Sequence, residues 1–230
     1  MTTDAGLSAE LASRNQEPAR PMTIALHRGD LPQGLSFGHA VAIDTETMGL
    51  AHARDRLCLA QFSAGDGTVH LVQFDNPRDN PSAYAAPRLR ALLTDPGVDK
   101  LFHFARFDMA AFAQSMGVMP QPVYCTKIAS RLVRTYTDRH GLKDLCRDLL
   151  GIELSKQQQS SDWGAAELSA EQRDYAAHDV LYLHRLRATL DQRLEREGRR
   201  KLAYDCFACL PTRVSLDLAG WADEDIFAHA

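Results

Sequence analysis

VAIDTETMGL (residues 41–50) is the stretch on which the reading of the fold turns. Residues 41–43 form the apolar core of a strand, which then carries Asp44 and Glu46 two positions apart. Side chains at that spacing point the same way along a strand, so the two carboxylates stand side by side on one face. Adjacent anions repel, and either a positive charge offsets the repulsion or one acid holds a proton well above its ordinary pKa. Two readings fit this fragment alone: a metal site, or a strand that has reached solvent and ends in an acidic turn.

The neighbouring runs build a sheet around it. HAVAIDTET, RLCLAQFSAG and TVHLVQF are strand-like and separated by short turns near 49–56 and 65–67, and links that short favour an antiparallel meander. MTIALHRG, beginning at Met22, reads as a further strand ahead of them. After Pro87 the pattern alternates: a helix near 87–94, a strand KLFHF at 100–104, a helix over 106–116, a short strand PVYC and a helix over 126–136. That alternation predicts parallel crossover units. From Ser169 the chain turns helical, with Ser169 as cap and Gln172 reaching back in a capping box. Val180, Leu183, Leu186, Leu190 and Leu194 give this helix a core face, and it is expected to end near Gly198. The expected fold is α/β: a ribonuclease H-like mixed sheet, antiparallel meander plus parallel strands, flanked by helices. Residues 1–21 are polar and aperiodic and are expected to be a disordered leader, 22–210 the folded domain and 211–230 a C-terminal tail.

Composition narrows the function. The chain has 230 residues, 45% of them hydrophobic, enough for one sizeable core. A net charge of −4 argues against a protein that grips long duplex nucleic acid through broad phosphate contact. It is compatible with acids clustered in a site and a separate basic patch. Five cysteines form no framework of pairs, and Cys206-x-x-Cys209 lacks the partners of a zinc site, so reduced thiols in the cytoplasm are expected. No apolar stretch has the length of a membrane span, and the start of the chain lacks the apolar core of a secretory signal.

Two more acids complete the pattern. FHFARFDMAAF puts Asp108 in the first turn of a helix, where the helix dipole alone would favour it. YAAHDV sets Tyr175 and Asp179 four apart on one helical face, ordinary for a helix surface. Together, D-x-E, a helix-opening Asp and Y-x-x-x-D occur in the order and on the element types that a two-metal site uses. On these motifs, joined by SDW at 161–163, the chain over roughly residues 22–230 resembles the DEDD-superfamily 3′–5′ exonucleases of the tyrosine subclass, in the ribonuclease D group. Within that group it is most similar to nano-RNase C, a short form with no appended helical nucleic-acid-binding domain. The histidine subclass would need His five positions before Asp179, where this chain has Asp174. His178 is then a supporting group or a plain polar helix residue, not the general base.

The resemblance implies a catalytic set of Asp44, Glu46, Asp108, Tyr175 and Asp179. The four carboxylates would hold two divalent ions, Mg²⁺ or Mn²⁺, which suit hard oxygen ligands. Asp44 would bridge them, Glu46 and Asp179 serve the ion that holds the attacking water, Asp108 the other, and Tyr175 orient that water. Thr45, Met48, Gly49 and Leu50 would meet substrate, with Gly49 letting backbone approach a ligand and Leu50 acting either as a wedge against terminal bases or as a turn residue folded on the core. His103 would contact phosphate or ribose, and Phe104 could equally be core. Gln159, Ser161 and Trp163 belong to the segment beside the site, Trp163 by stacking or by core packing. Lys127, Arg131 and Arg134 share a helical face that either tracks phosphates or is merely solvated, while Arg139 or His140 would capture a 5′ phosphate.

The implied activity is a 3′–5′ exoribonuclease that hydrolyses short RNA oligonucleotides, dinucleotides above all, to nucleoside 5′-monophosphates. The same chemistry on longer RNA or DNA is the alternative, and an inactive nucleic-acid-binding scaffold the second. The implied partners are short RNA or DNA and no membrane. The resembled family forms ring-shaped octamers, and a homo-oligomer is expected here. Leu216, Leu218, Trp221, Ile226 and Phe227 of the tail would dock on a neighbouring subunit or on the chain's own body.

Overall fold

The structure is a computed structural model and describes residues 22–155, 157–158 and 160–229, so the expected leader lies outside the described residues. Six strands form one mixed sheet: β1 (Thr23–Arg28), β2 (Ala40–Thr47), β3 (Leu57–Ser63), β4 (Thr68–Gln73), β5 (Asp99–Phe102) and β6 (Val123–Cys125), in the order β1-β4-β3-β2-β5-β6. β2, β3 and β4 make the antiparallel meander. β5 pairs parallel to β2 and β6 parallel to β5, as helical crossovers require. The first strand, whose placement the sequence leaves open, joins the far edge parallel to β4.

The helices are α1 (Pro87–Thr94), α2 (Ala105–Met116), α3 (Thr126–Val133), α4 (Leu142–Leu145), α5 (Ala170–Leu181), α6 (Leu183–Arg196) and α7 (Arg200–Leu216). Every residue of β3 is buried, because α5 lies against β1 to β4 while α2 packs on β2, β3, β5 and β6. The expected capping box opens α5: Ser169 Oγ accepts from Gln172 N (3.1 Å) and Gln172 Oε1 accepts from Ser169 N (2.9 Å).

Three expectations need correction. The single helix from 169 to about 198 breaks at Tyr182 (φ −105°, ψ −2°), and Val180 on α5 and Leu183 to Leu194 on α6 bury separate faces. The strand expected at 100–104 ends at Phe102, and residues 103 and 104 form the turn into α2. The helix over 126–136 stops at Val133 because Arg134 leaves the helical region (φ −113°, ψ 53°). At the other end, α7 runs across position 211, where the tail was drawn, and continues in a π turn over Asp217–Trp221. Arg106 of α2 and Arg213 of α7 both pair with Asp217, and the Arg106 pair ties this turn to α2. No described helix is long and apolar enough to cross a membrane.

Candidate active site

The site lies at the end of β2. Alternation along the strand turns Asp44 and Glu46 to one face, where α5 brings Asp179. One carboxylate oxygen from each lies within 4.8 Å of the other two, and among the described residues this is the sole cluster of three metal-ligating side chains so close. Thr45, between them, points to the opposite face and donates its hydroxyl to Asp108 Oδ1 (2.7 Å), at the start of α2. Asp108 is 2% exposed, so it is no surface acid placed for the helix dipole alone. It approaches from the other side of the strand and stands outside the tight trio.

The acids are held in a charge state that asks for a cation. Burial, then repulsion from Asp108, Asp179 and Glu46, raises Asp44 well above the carboxylate range. Burial, with Asp179 and Asp108 adding to it, pushes Glu46 up to about 9. Burial likewise lifts Asp108 and Asp179 to about 7, against hydrogen bonds from Thr45 and Tyr175 respectively. Three hard oxygens converging at this distance, each destabilised as an anion, suit a divalent cation such as Mg²⁺ or Mn²⁺. Tyr175, one turn before Asp179, is raised by burial and then by Asp179, Glu46 and Asp44, and stays protonated. Trp163 is 3% exposed, packed in the core with its ring 6.1 Å from that of Tyr175, which it backs.

These groups open into a cleft of about 730 Å³. Thr45, Met48, Gly49, Leu50, His103, Ser161, Trp163, Tyr175 and all four acids line it, whereas Gln159 lies outside the described residues. Leu50 is 83% exposed and so does not fold on the core. At Gly49 a Cβ would also collide with the Asp55 carboxylate, which holds the turn by accepting from Ala51 N (2.9 Å). Ser161 accepts from Gln172 Nε2 (3.1 Å), which also reaches the Asp162 carbonyl (3.0 Å), so the capping box of α5 fastens the SDW segment. His103 Nδ1 is tied to Thr126 Oγ1 (2.9 Å), and burial, then the Lys127 ammonium, pushes the ring down to about 3. It faces the cleft as a neutral imidazole.

The basic segment sorts differently from its spacing. Arg134 is buried and pairs with Asp148, and its Nη1 donates to the Arg139 carbonyl (2.6 Å), so it is absent from any phosphate-tracking face. Arg139 and His140 do not line the cleft; His140 Nδ1 is engaged with Ser130 Oγ (2.9 Å). Lys127 and Lys143 do line it. Phe104, left open between core and site, is 43% exposed on the cleft wall and sits in the left-handed region at φ 80°, a conformation that costs a non-glycine residue about 1–3 kcal/mol. No spacing rule marks it, since a strained turn residue looks like any other aromatic in sequence. His178 Nδ1 turns back to the Asp174 carbonyl (2.7 Å), in keeping with a plain polar helix residue.

Comparison with known proteins agrees with this geometry. The profile of a 3′–5′ exonuclease domain family matches residues 30–195. A ribonuclease D of Granulibacter bethesdensis is 36% identical over 159 residues, 69% of this chain and 38% of that protein, so the chain spans about two fifths of such relatives. Among solved structures, Brucella melitensis NrnC bound to pGG is 58% identical with a TM-score of 0.86, covering 91% of this chain and 100% of that one. The same protein with bound Mg²⁺ is 57% identical, with a TM-score of 0.85 over the same shares. On these likenesses the chain belongs to the 3′–5′ exonucleases of the DEDD type, in their ribonuclease D-like, NrnC-like branch.

Proposed function

We propose that this protein is a metal-dependent 3′–5′ exoribonuclease that hydrolyses short RNA, dinucleotides above all, to nucleoside 5′-monophosphates. The observation that carries it is the convergence of Asp44, Glu46 and Asp179 oxygens within 4.8 Å beside Tyr175 in an open cleft. Asp44, Glu46 and Asp179 would hold one divalent ion, with Asp44 shared and Asp108 completing a second. Such ions, when bound, generate a nucleophile from water and stabilise the attacking and leaving oxygens of an in-line displacement.

The chain's own groups do the rest. Tyr175, one turn before Asp179 on α5, would act through its hydroxyl by orienting the attacking water. Neutral His103 hydrogen-bonds phosphate or ribose without forming an ion pair. Thr45 fixes the Asp108 carboxylate. Lys127 and Lys143 take over the 5′-phosphate role from Arg139 and His140. Met48 and Leu50 present exposed apolar side chains to a terminal base. The Brucella protein's complex with pGG supports a short substrate, as does the net charge of −4, since few phosphates need little basic surface. A homo-oligomer is part of the proposal: Trp221, Ile226 and Phe227 are exposed beyond α7, Phe227 by 83%. Light scattering that gave the mass of one chain would remove that part.

The test is turnover of labelled dinucleotides beside a longer RNA and a DNA, with Mg²⁺, with Mn²⁺ and with chelator. Metal-dependent release of mononucleotides, fastest from dinucleotides, is expected. Faster cleavage of long RNA or DNA would select the alternative, and no hydrolysis at all would leave the scaffold.

A further inference from the structure

Phe104 combines three observations that the chemistry above leaves unused. Its backbone stands at φ 80° and ψ 46°, and it is the one non-glycine residue with positive φ among those described. Glycine would take this conformation without strain and asparagine with little. Its ring is 43% exposed on the wall of the acid cleft. Lys127 Nζ lies 4.0 Å from the ring centroid, so the ring carries a cation against its π system. Core packing cannot be what maintains the strained aromatic, because the ring is outside the core. Entry into α2 cannot be either, because a smaller residue would make the same turn more easily. Strain that persists at the edge of a reaction site is a mark of use.

We propose that Phe104 is the stacking platform for a nucleobase of the substrate, its left-handed backbone turning the ring into the cleft and the Lys127 ammonium steadying it. The proposal rests on the reading of the cleft as a nuclease site. Every nucleobase has a π face, so a flat ring binds any of them without reading sequence. Lys127 adds positive charge at the same place, which suits a nucleotide and not an uncharged apolar ligand. Met48 (51% exposed) and Leu50 (83%) supply further apolar surface to the same cleft.

Phe104→Asn separates the ring from the backbone, since asparagine tolerates the left-handed region and lacks the ring. Phe104→Tyr keeps both the size and the π face. In the full chain with Mn²⁺, Phe104→Asn is expected to raise the KM for a dinucleotide about tenfold to hundredfold, with kcat nearly unchanged and a thermal midpoint no lower than the parent's. Phe104→Tyr should return KM to nearly the parent value. An unchanged KM in Phe104→Asn would overturn the proposal. So would a fall in kcat at constant KM, which would mean the residue only positions Asp108, and so would a Phe104→Tyr no better than Phe104→Asn. A parent inactive on every nucleotide would instead remove the nuclease reading itself, and the inference with it.

Discussion

The floor and the rim of the cleft are built on opposite terms. The floor is four acids on regular backbone: two from β2, one from the first turn of α2, one from α5. Its charges are buried and uncompensated, so each has been driven toward holding a proton. The rim is formed by Met48, Gly49 and Leu50 after β2, by Phe104 ahead of α2, by Gly141 and Lys143 at the start of α4 and by Ser155, Ser160 and Ser161, with Lys127 of α3 adding a second ammonium group. The floor is strained by charge and the rim, at Phe104, by backbone. Chemistry that must polarise a phosphodiester needs the first, and capture of a small ligand is done by the second.

The sharpest way to break this division is to neutralise one floor acid. Asp44→Asn should lower kcat at least about a thousandfold, while KM moves little. The same change should raise the thermal midpoint of metal-free protein, because it removes a carboxyl group that folding must either protonate or bury among other acids. Loss of activity together with loss of stability would mean that Asp44 holds the fold and not the reaction. Metal-free protein also has a defined pH response. Asp108 and Asp179 at about 7 and Glu46 at about 9 all lie above their unfolded values near 4, so the folded state binds more protons in that interval. Their contribution is present at low pH and is lost as pH rises through about 7 and then about 9. In chelator, the thermal midpoint should therefore be lower at pH 9 than at pH 6, and Mg²⁺ should restore it at the higher pH. A midpoint that ignored both would show the acids to be compensated some other way.

Tyr175→Phe probes the floor more gently. The phenol hydroxyl stands one turn before Asp179 and would orient water, whereas the ring packs on Trp163. Phenylalanine keeps that packing. A loss in kcat of about tenfold to a hundredfold is expected, with the thermal midpoint within a degree or so of the parent. Activity as high as the parent's would reduce Tyr175 to a packing residue.

The same division explains what could be read from the sequence. On a strand or helix, spacing is direction, so D-x-E and Y-x-x-x-D each set two side chains on one face; that these motifs and the helix-opening Asp share one site was implied by the family resemblance and not by spacing. The meander and crossovers were legible for the same reason. Spacing failed where the backbone stopped being regular. Arg134 shares a helical face with Lys127 only if the helix continues, and it ends at Val133, turning Arg134 inward to Asp148 while Lys127 faces the cleft. The break at Tyr182 was hidden because the apolar period runs through it unbroken. Gly49 also makes room for Asp55, a partner six residues on that periodicity does not announce.

The smallest expected effects lie on the rim, where Lys143 lies four residues from Arg139, one of the two residues the sequence reading named for the 5′ phosphate. Lys143 lines the cleft, while Arg139 is exposed outside it and its carbonyl is engaged by Arg134. If positive charge at the rim holds the 5′ phosphate, Lys143→Ala should raise KM for a 5′-phosphorylated dinucleotide about tenfold, the worth of one charged hydrogen bond. It should matter less for the same dinucleotide without that phosphate, and the remaining KM should depend less on salt. Arg139→Ala should change KM by less than about twofold, as a solvated charge does. The reverse ranking would mean that the 139–144 turn swings on binding and that the cleft wall is not preformed. Equal, small effects for both would move phosphate capture to Lys127, whose ammonium already faces the cleft from the Phe104 side.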